Sequence, residues 1–417
     1  MRVLVAPDKF KGSLTALEVA TAIGEGLEAA GVASRLLPLA DGGDGSVAAA
    51  LHAGSTARPV AVRGADGRRH ETEFAFDGTT AVVEVAGTCG LSTLPPGELA
   101  PMTSSSYGFG QAVLAALDAG ARRIVLCLGG SASTDGGAGL LAALGVRFRD
   151  DAGRDVEPAG GTLARIAEVD VSGLRDLAGA ELIVATDVTN PLLGADGAAA
   201  VFGPQKGAAP LQVAELDAGL AHLAGLLDRH RPAEGHGSTA LLADEPGTGA
   251  AGGLGFACRW LGASRVAGAE FFLDLLGFDA AVSDCVAVVT GEGCMDRQTL
   301  AGKLPAVAAA RSAPRRVHAV VGQSLLTEDQ RRRLGLDEVV ALGELTDEDP
   351  NRDPDLSKRL AAVAGALIGR QVRSLTPAGR SGADGREDGA ACQPHRGRGC
   401  EREQQQSVSA QPTAAQH

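Results

Sequence analysis

Only five of the chain's 38 basic residues are lysines, at positions 9, 11, 206, 303 and 358. Lys9, Lys11, Lys206 and Lys303 fall in loops where Gly or Pro is close by, and only Lys358 sits in an ordinary helical pattern. Arg presents a rigid fork, whereas Lys presents a compact point charge on a flexible stem. Lysines kept in such places suit neutralisation of a small anion, a phosphate or a carboxylate. Exposed loops would also collect lysines by chance, so the neighbouring residues must decide.

Four loops supply those neighbours, each ending an apolar run. "PLADGGDG" brings Asp41 and Asp44 together among glycines, where two carboxylates can bind Mg²⁺ or a sugar-acid hydroxyl. An acidic turn capping a helix would read the same way. "LGGSASTDGGAG" places Gly129, Gly130, Ser131, Ser133, Thr134, Asp135 and Gly136 between a strand and a helix. Exposed N–H groups at such a helix start form an anion site, so this loop is the phosphate-binding candidate.

"ATDVTNP" and "FGPQKG" contribute Asp187, Asn190 and Lys206. Here an Asp at a strand end can orient a hydroxyl or metal, or close an Asx-turn before Pro191. "VVTGEGCMDRQTLAGKLP" adds Glu292, Asp296 and Lys303, two acids and a cation fit for a metal and a phosphate. Taken singly, each could be a surface ion pair.

Other motifs fail their context. "GTGAAG" at 247–252 matches GxGxxG but follows "LLADEP" rather than a strand, which removes the dinucleotide reading. No GxxxxGK[ST] and no GxSxG occurs, and the histidines are isolated.

The elements that must position these loops follow from periodicity. A strand over 3–6 leads to a helix announced by Thr15-Ala16-Leu17-Glu18, a capping-box pattern, and stopped at Gly31. A second strand over 35–39 completes a βαβ opening. From residue 58 the pattern becomes a meander, with Asp66-Gly67 and Asp77-Gly78 as turns. Helix and strand then alternate. From residue 284 the opening βα rhythm returns, closing with a helix over 356–368. The expected architecture is α/β with two domains. One is a discontinuous parallel-sheet domain over 1–58 plus 284–373, and the other a mixed α/β domain inserted over 59–283. Residues 374–417 are Gly-, Arg- and Gln-rich without apolar periodicity, and disorder is expected.

Bulk composition narrows the function classes. A length of 417 residues with 45% apolar content suits a two-domain globular chain. A formal charge of −13 argues against nonspecific binding to nucleic acid or an anionic membrane. "MRVLVAPDKF" has too short an apolar run for a signal peptide, and no run is long enough to span a bilayer. Seven cysteines without paired spacing are expected as free thiols in a reducing cytoplasm.

Taken in order, "APDKFKGSLTA", "ADGGDG", "GGSASTDGGAG", "DVTNPLLG", "FGPQKGA" and "TGEGCMDRQTLAGKLP" resemble the motifs of the class I bacterial glycerate kinases, from residue 1 to about 370. Cys294 and Met295 depart from the polar or basic residue and aliphatic residue usual there. The resemblance implies an ATP-dependent kinase of D-glycerate with two α/β domains, one Rossmann- or flavodoxin-like, and an active site in the cleft between them. The expected product is 2-phosphoglycerate, with 3-phosphoglycerate as the alternative. Phosphoryl transfer needs cations, a metal bridge and a group to accept or orient the hydroxyl proton. Asp187, Lys9, Lys206 and Asp296 are the catalytic candidates, Asp187 first for the base. Lys11, Asp41, Asp44, Asn190 and Lys303 are assigned to substrate, the 129–136 loop to ATP, and Glu292 and Asp296 to Mg²⁺. A non-catalytic sugar-acid sensor would have no reason to keep phosphate-binding loops. The sequence leaves open whether the chain forms a homodimer.

Overall fold

In the computed structural model, residues 1–177, 179–230, 242–300 and 302–375 are described. The 376–417 tail, with Cys392 and Cys400, lies outside them.

Two sheets organise the chain. Strands β1 (Arg2–Pro7), β2 (Ala33–Leu36), β11 (Ala287–Gly291), β13 (Arg316–Val321) and β15 (Glu338–Ala341) form the first. Every pair in it is parallel, in the order β15-β13-β11-β1-β2. Counted along the chain this is 2-1-3-4-5, the flavodoxin-like order, in which the winding reverses between β1 and its third strand. The second sheet contains β3 (Thr56–Arg63), β4 (Arg69–Phe76), β5 (Thr80–Glu84), β6 (Arg123–Cys127), β9 (Glu181–Ala185) and β10 (Ser264–Val266), in the order β10-β9-β6-β5-β4-β3. Its first four strands in that order are parallel, and β4 and β3 add an antiparallel meander. Two short antiparallel strands, β7 (Arg147–Arg149) and β8 (Glu168–Asp170), and a parallel pair, β12 (Cys294–Met295) and β14 (Gln323–Ser324), lie outside both sheets.

Alternation along the strands explains the layering, since successive side chains point to opposite faces. Val3 and Val5 of β1 join Ile23, Leu27 and Ile368 in one core. That core is sealed where helix Ala16–Ala29 crosses the C-terminal helix Pro354–Leu375 at two glycines: a Cβ on Gly26 would lie 1.9 Å from the Ala362 carbonyl oxygen. Leu4 and Ala6, pointing the other way, share a core with Val82, Val125 and Ala185 of the second sheet. Helices Ser46–His52 and Gly268–Leu275 supply Val47, Ala49, Phe272 and Leu273 to this common layer. The outer face of the second sheet, with Phe74, Val83, Ile124 and Leu126, builds the largest core.

The Thr15–Glu18 capping box forms as expected, with the Thr15 hydroxyl accepting from the Glu18 N–H and the Glu18 carboxylate accepting from the Thr15 N–H. The second strand begins two residues earlier than expected and stops at Leu36. The described cysteines are free; four are buried and Cys294 is exposed. Among the described residues, no helix is long and apolar enough to cross a membrane.

Candidate active site

In an open parallel sheet, ligands sit outside the carboxyl ends of the strands where the winding reverses. Here that point lies between β1 and β11. Asp8 follows β1 directly and Glu292 follows β11, and the Asp8 N–H donates to the Gly291 carbonyl at 2.8 Å, tying the two strand ends together. A cavity of about 520 Å³ opens there. From the first sheet's loops it receives Asp8, Lys9, Lys11, Asp41, Asp44, Glu292, Asp296 and Lys303; from the second sheet's it receives Gly129 and Gly130. Three lysines and five carboxylates thus share one space.

The loops approach so closely because they meet glycine to glycine. A Cβ on Gly129 would lie 2.5 Å from Gly43 Cα and 3.1 Å from the Asp44 nitrogen. Gly42, at φ +86°, has its own Cβ direction blocked by the Ala185 carbonyl oxygen at 2.1 Å. Only glycine fits a left-handed backbone pressed on another chain segment.

Charges in the cavity are strongly coupled. Lys9 Nζ lies 3.6 Å from Asp8 Oδ1. Burial disfavours the Lys9 ammonium, but Asp8, Asp41 and Asp44 outweigh it and raise its pKa above the ordinary lysine value. Burial pushes the Asp8 carboxyl up to about 6; Lys9 opposes that shift and Asp41 adds to it. Burial likewise pushes Glu292 up to about 7, against the Thr299 hydroxyl, which donates to Glu292 Oε1 at 2.6 Å. Lys303 Nζ stands 3.9 Å from Asp296 Oδ1. Lys11 is exposed and makes no ion pair among the described residues.

The remaining candidates from the sequence sit elsewhere. Asp187 accepts the N–H groups of Gly268 at 2.9 Å and Ala269 at 3.3 Å, so it holds the start of helix Gly268–Leu275. Asn190 donates its amide to the Asp196 carbonyl at 2.8 Å. Ser131, Ser133, Thr134 and Asp135 are buried and Gly136 is enclosed with them, while Gly129 and Gly130 reach the cavity. Asp135 accepts from the Ser106 N–H and hydroxyl, both at 2.8 Å, and from the N–H groups of Gly137 and Gly139. Its helix, Ala138–Ala143, is six residues long. Lys206 lies beneath this loop, 2% exposed, donating to the Ser131 hydroxyl and the Ser133 carbonyl. Burial lowers its pKa to about 8, with Asp135 opposing the shift. The "GTGAAG" segment packs against the same loop: the Ala251 carbonyl accepts from Ser131, and a Cβ on Gly252 would strike the Ser133 carbonyl at 2.1 Å.

Two acids escaped the sequence reading. Asp8 is adjacent to Lys9 and was overlooked beside it. Glu84 ends β5, accepts the Val47 N–H at 3.1 Å, and is pushed up to about 7 by burial, with the Asp44 charge adding to the shift. No local pattern marks Glu84, because its neighbours come from Asp44 and Lys9, far off in sequence.

Among the described residues, no group of three or more His, Cys, Asp or Glu could by itself cage a metal ion. Mg²⁺ that arrives with phosphates needs only one or two protein carboxylates. Glu292 and Asp296 line the cavity together and fit that smaller demand, the Asp296 charge adding to the burial that raises Glu292.

Comparison with known proteins gives the family. The model of the glycerate kinase family matches residues 3–368. The chain is 42% identical over 313 residues to the glycerate kinase of Bacillus subtilis (strain 168), covering 73% of this chain and 80% of that protein. It is 39% identical over 312 residues to the glycerate 2-kinase of Escherichia coli (strain K12), with the same coverages. A crystal structure assigned to glycerate kinase 2 of Salmonella typhimurium LT2 superposes with a TM-score of 0.73 at 37% identity, covering 90% of this chain and 98% of that one. With a parallel sheet that gathers lysines and carboxylates at its switch point, and a family match over nearly all the described residues, the chain belongs to the glycerate kinase family and is a phosphotransferase.

Proposed function

We propose that this enzyme transfers the γ-phosphoryl group of ATP to the 2-hydroxyl of D-glycerate, giving 2-phosphoglycerate, in the cavity at the β1–β11 switch point. The observation that carries the reading is the meeting of Lys9, Lys11 and Lys303 with Asp8, Glu292 and Asp296 in one 520 Å³ space. Glycerate and ATP are both anionic, so binding them together requires clustered cations in a protein of net charge −13. In this reading, residues 1–58 with 284–373 form one wall of the cleft and the inserted 59–283 region the other.

The roles follow from placement. Lys9, held charged by Asp8, Asp41 and Asp44, takes the glycerate carboxylate, and Asp41 and Asp44 orient the glycerate hydroxyls. Lys11 and Lys303 face the phosphates and offset the charge that spreads over the transferring group. Asp8, ionising near pH 6, accepts the proton of the attacking hydroxyl. Glu292 and Asp296 are the carboxylates that would hold Mg²⁺, which would supply charge neutralisation at the phosphates. Asp187 and Lys206 act as positioning residues, Asp187 by capping helix Gly268–Leu275 and Lys206 by bracing the 129–136 loop.

The test is ATP consumption by the purified protein with and without D-glycerate, with the product resolved by ³¹P and ¹³C NMR. Phosphorus on C2 supports the reading, phosphorus on C3 replaces it with a 3-kinase, and no glycerate-dependent consumption removes it.

A further inference from the structure

A second cavity, of about 390 Å³, adjoins the first, and Lys9, Lys11 and Asp44 line both. Beyond those shared residues its walls are mainly apolar, with the Thr15–Glu18 capping pair at one side. Phe10 and Leu14 come from the loop after β1, Leu17 from the first turn of helix Ala16–Ala29, Leu39 from the segment after β2, and Ala48 from helix Ser46–His52. Leu17 leaves 42% of its surface exposed although its helix has a buried apolar face. Ser13 also lines this cavity, with its hydroxyl turned into the protein.

We propose that this second cavity takes the adenine and ribose of ATP, with Lys11 at the junction holding the phosphates that reach into the first. The inference rests on the kinase reading above and deepens it. A nucleoside triphosphate has a flat base with apolar faces at one end and several negative charges at the other. It calls for an apolar chamber that opens onto one with cations at its mouth, and here Lys9 and Lys11 stand at the junction. The volume falls within the roughly 300–1,000 Å³ of small-molecule sites. The 129–136 loop does not offer an equivalent place, because Ser131, Ser133, Thr134 and Asp135 are buried, with Ser131 bonded to Ser133 and Asp135 to Ser106.

Ala48→Phe tests the assignment. Ala48 is exposed and lines the cavity, so a ring there fills the chamber without entering the core. Inorganic triphosphate, which has no base, serves as a competing probe of the phosphate region alone. The wild type is first shown to consume ATP with glycerate; if it does not, the kinase reading has failed rather than this one. In an active enzyme, Ala48→Phe is expected to raise the KM for ATP about tenfold or more, the range by which lost contacts of a small ligand weaken binding. The KM for glycerate and inhibition by triphosphate should stay near wild type. An unchanged KM for ATP overturns the assignment, and so does a loss of triphosphate inhibition that matches the loss for ATP. Leu17→Glu, at an exposed position of the same wall, gives the same readouts should Ala48→Phe not fold.

Discussion

The backbones of Gly43 and Gly129, one from each sheet's loops, pass so closely that a Cβ on Gly129 would stand 2.5 Å from Gly43 Cα. Backbone cannot swing aside as a side-chain tip can, so Gly129→Val must move the loop that carries Asp41 and Asp44. The expected result is a fall in kcat/KM of about 100-fold or more, the scale for a misplacement near 1 Å. Gly225, with nothing within 4 Å of its Cβ position, is the control. Gly225→Ala in helix Pro210–Asp228 should leave turnover unchanged and stabilise the fold by about 0.5–1 kcal/mol in a melting experiment.

Asp8 predicts an acid limb. Its raised pKa, about 6, means that a proton-accepting carboxylate is lost as pH falls through that value. The wild-type kcat should therefore climb between pH 5 and 7 and then level. Asp8→Asn should lower kcat by about 10²-fold or more and flatten that limb. A limb that persists in the variant assigns it to another group, Glu292 being the next to measure.

Asp187 separates capping from chemistry. Asn can keep the Gly268 bond through its amide oxygen while giving up the weaker Ala269 bond, whereas Ala keeps neither. Asp187→Asn should keep kcat within about threefold, and Asp187→Ala should cost roughly 1 kcal/mol of stability in denaturant titration. A loss of about 10²-fold in folded Asp187→Asn would restore this residue as the proton acceptor.

Lys206 makes a stability prediction with a definite sign. Its ammonium releases a proton near pH 8 in the fold, against 10.5 as an ordinary lysine. Between those values the unfolded chain holds a proton that the folded chain has lost, so stability rises with pH across the window. Below pH 8 the folded protein bears a penalty of roughly 3 kcal/mol for the buried charge. Lys206→Met should lack this alkaline rise. Equal slopes in wild type and variant from pH 8 to 10.5 would show that Lys206 titrates normally.

Local patterns carried much of the architecture. β1 and its capping-box helix are written in contiguous residues, and so is the 287–341 βα series. Helices Gly268–Leu275 and Phe278–Ser283 were not anticipated. "GAEFFLDLLGFDAAVS" is amphipathic, burying Ala269, Phe272 and Leu273 while Glu270, Asp274 and Asp279 face Arg311. But Gly277 parts it into helices of eight and six residues, each shorter than the window in which helical periodicity shows. At the site, the lysine pair and the Asp41, Asp44, Glu292 and Asp296 acids were visible because each stands in a glycine-bearing loop after an apolar run. The hydroxyls at 131, 133 and 134 had the same local appearance, yet they face inward. Their burial depends on Lys206 and on the Ala251–Gly252 backbone, partners more than seventy residues away, which no short window contains.

The apolar layer shared by Leu4, Val125 and Phe272 has a bearing on motion. Enzymes with substrates caught between two lobes often open and shut like jaws, but here prying the two sheets apart would wet a seam of leucine, valine and phenylalanine side chains. On the proposed function, glycerate would then reach the strand ends through movement of the loops around the cavity, with that layer left closed.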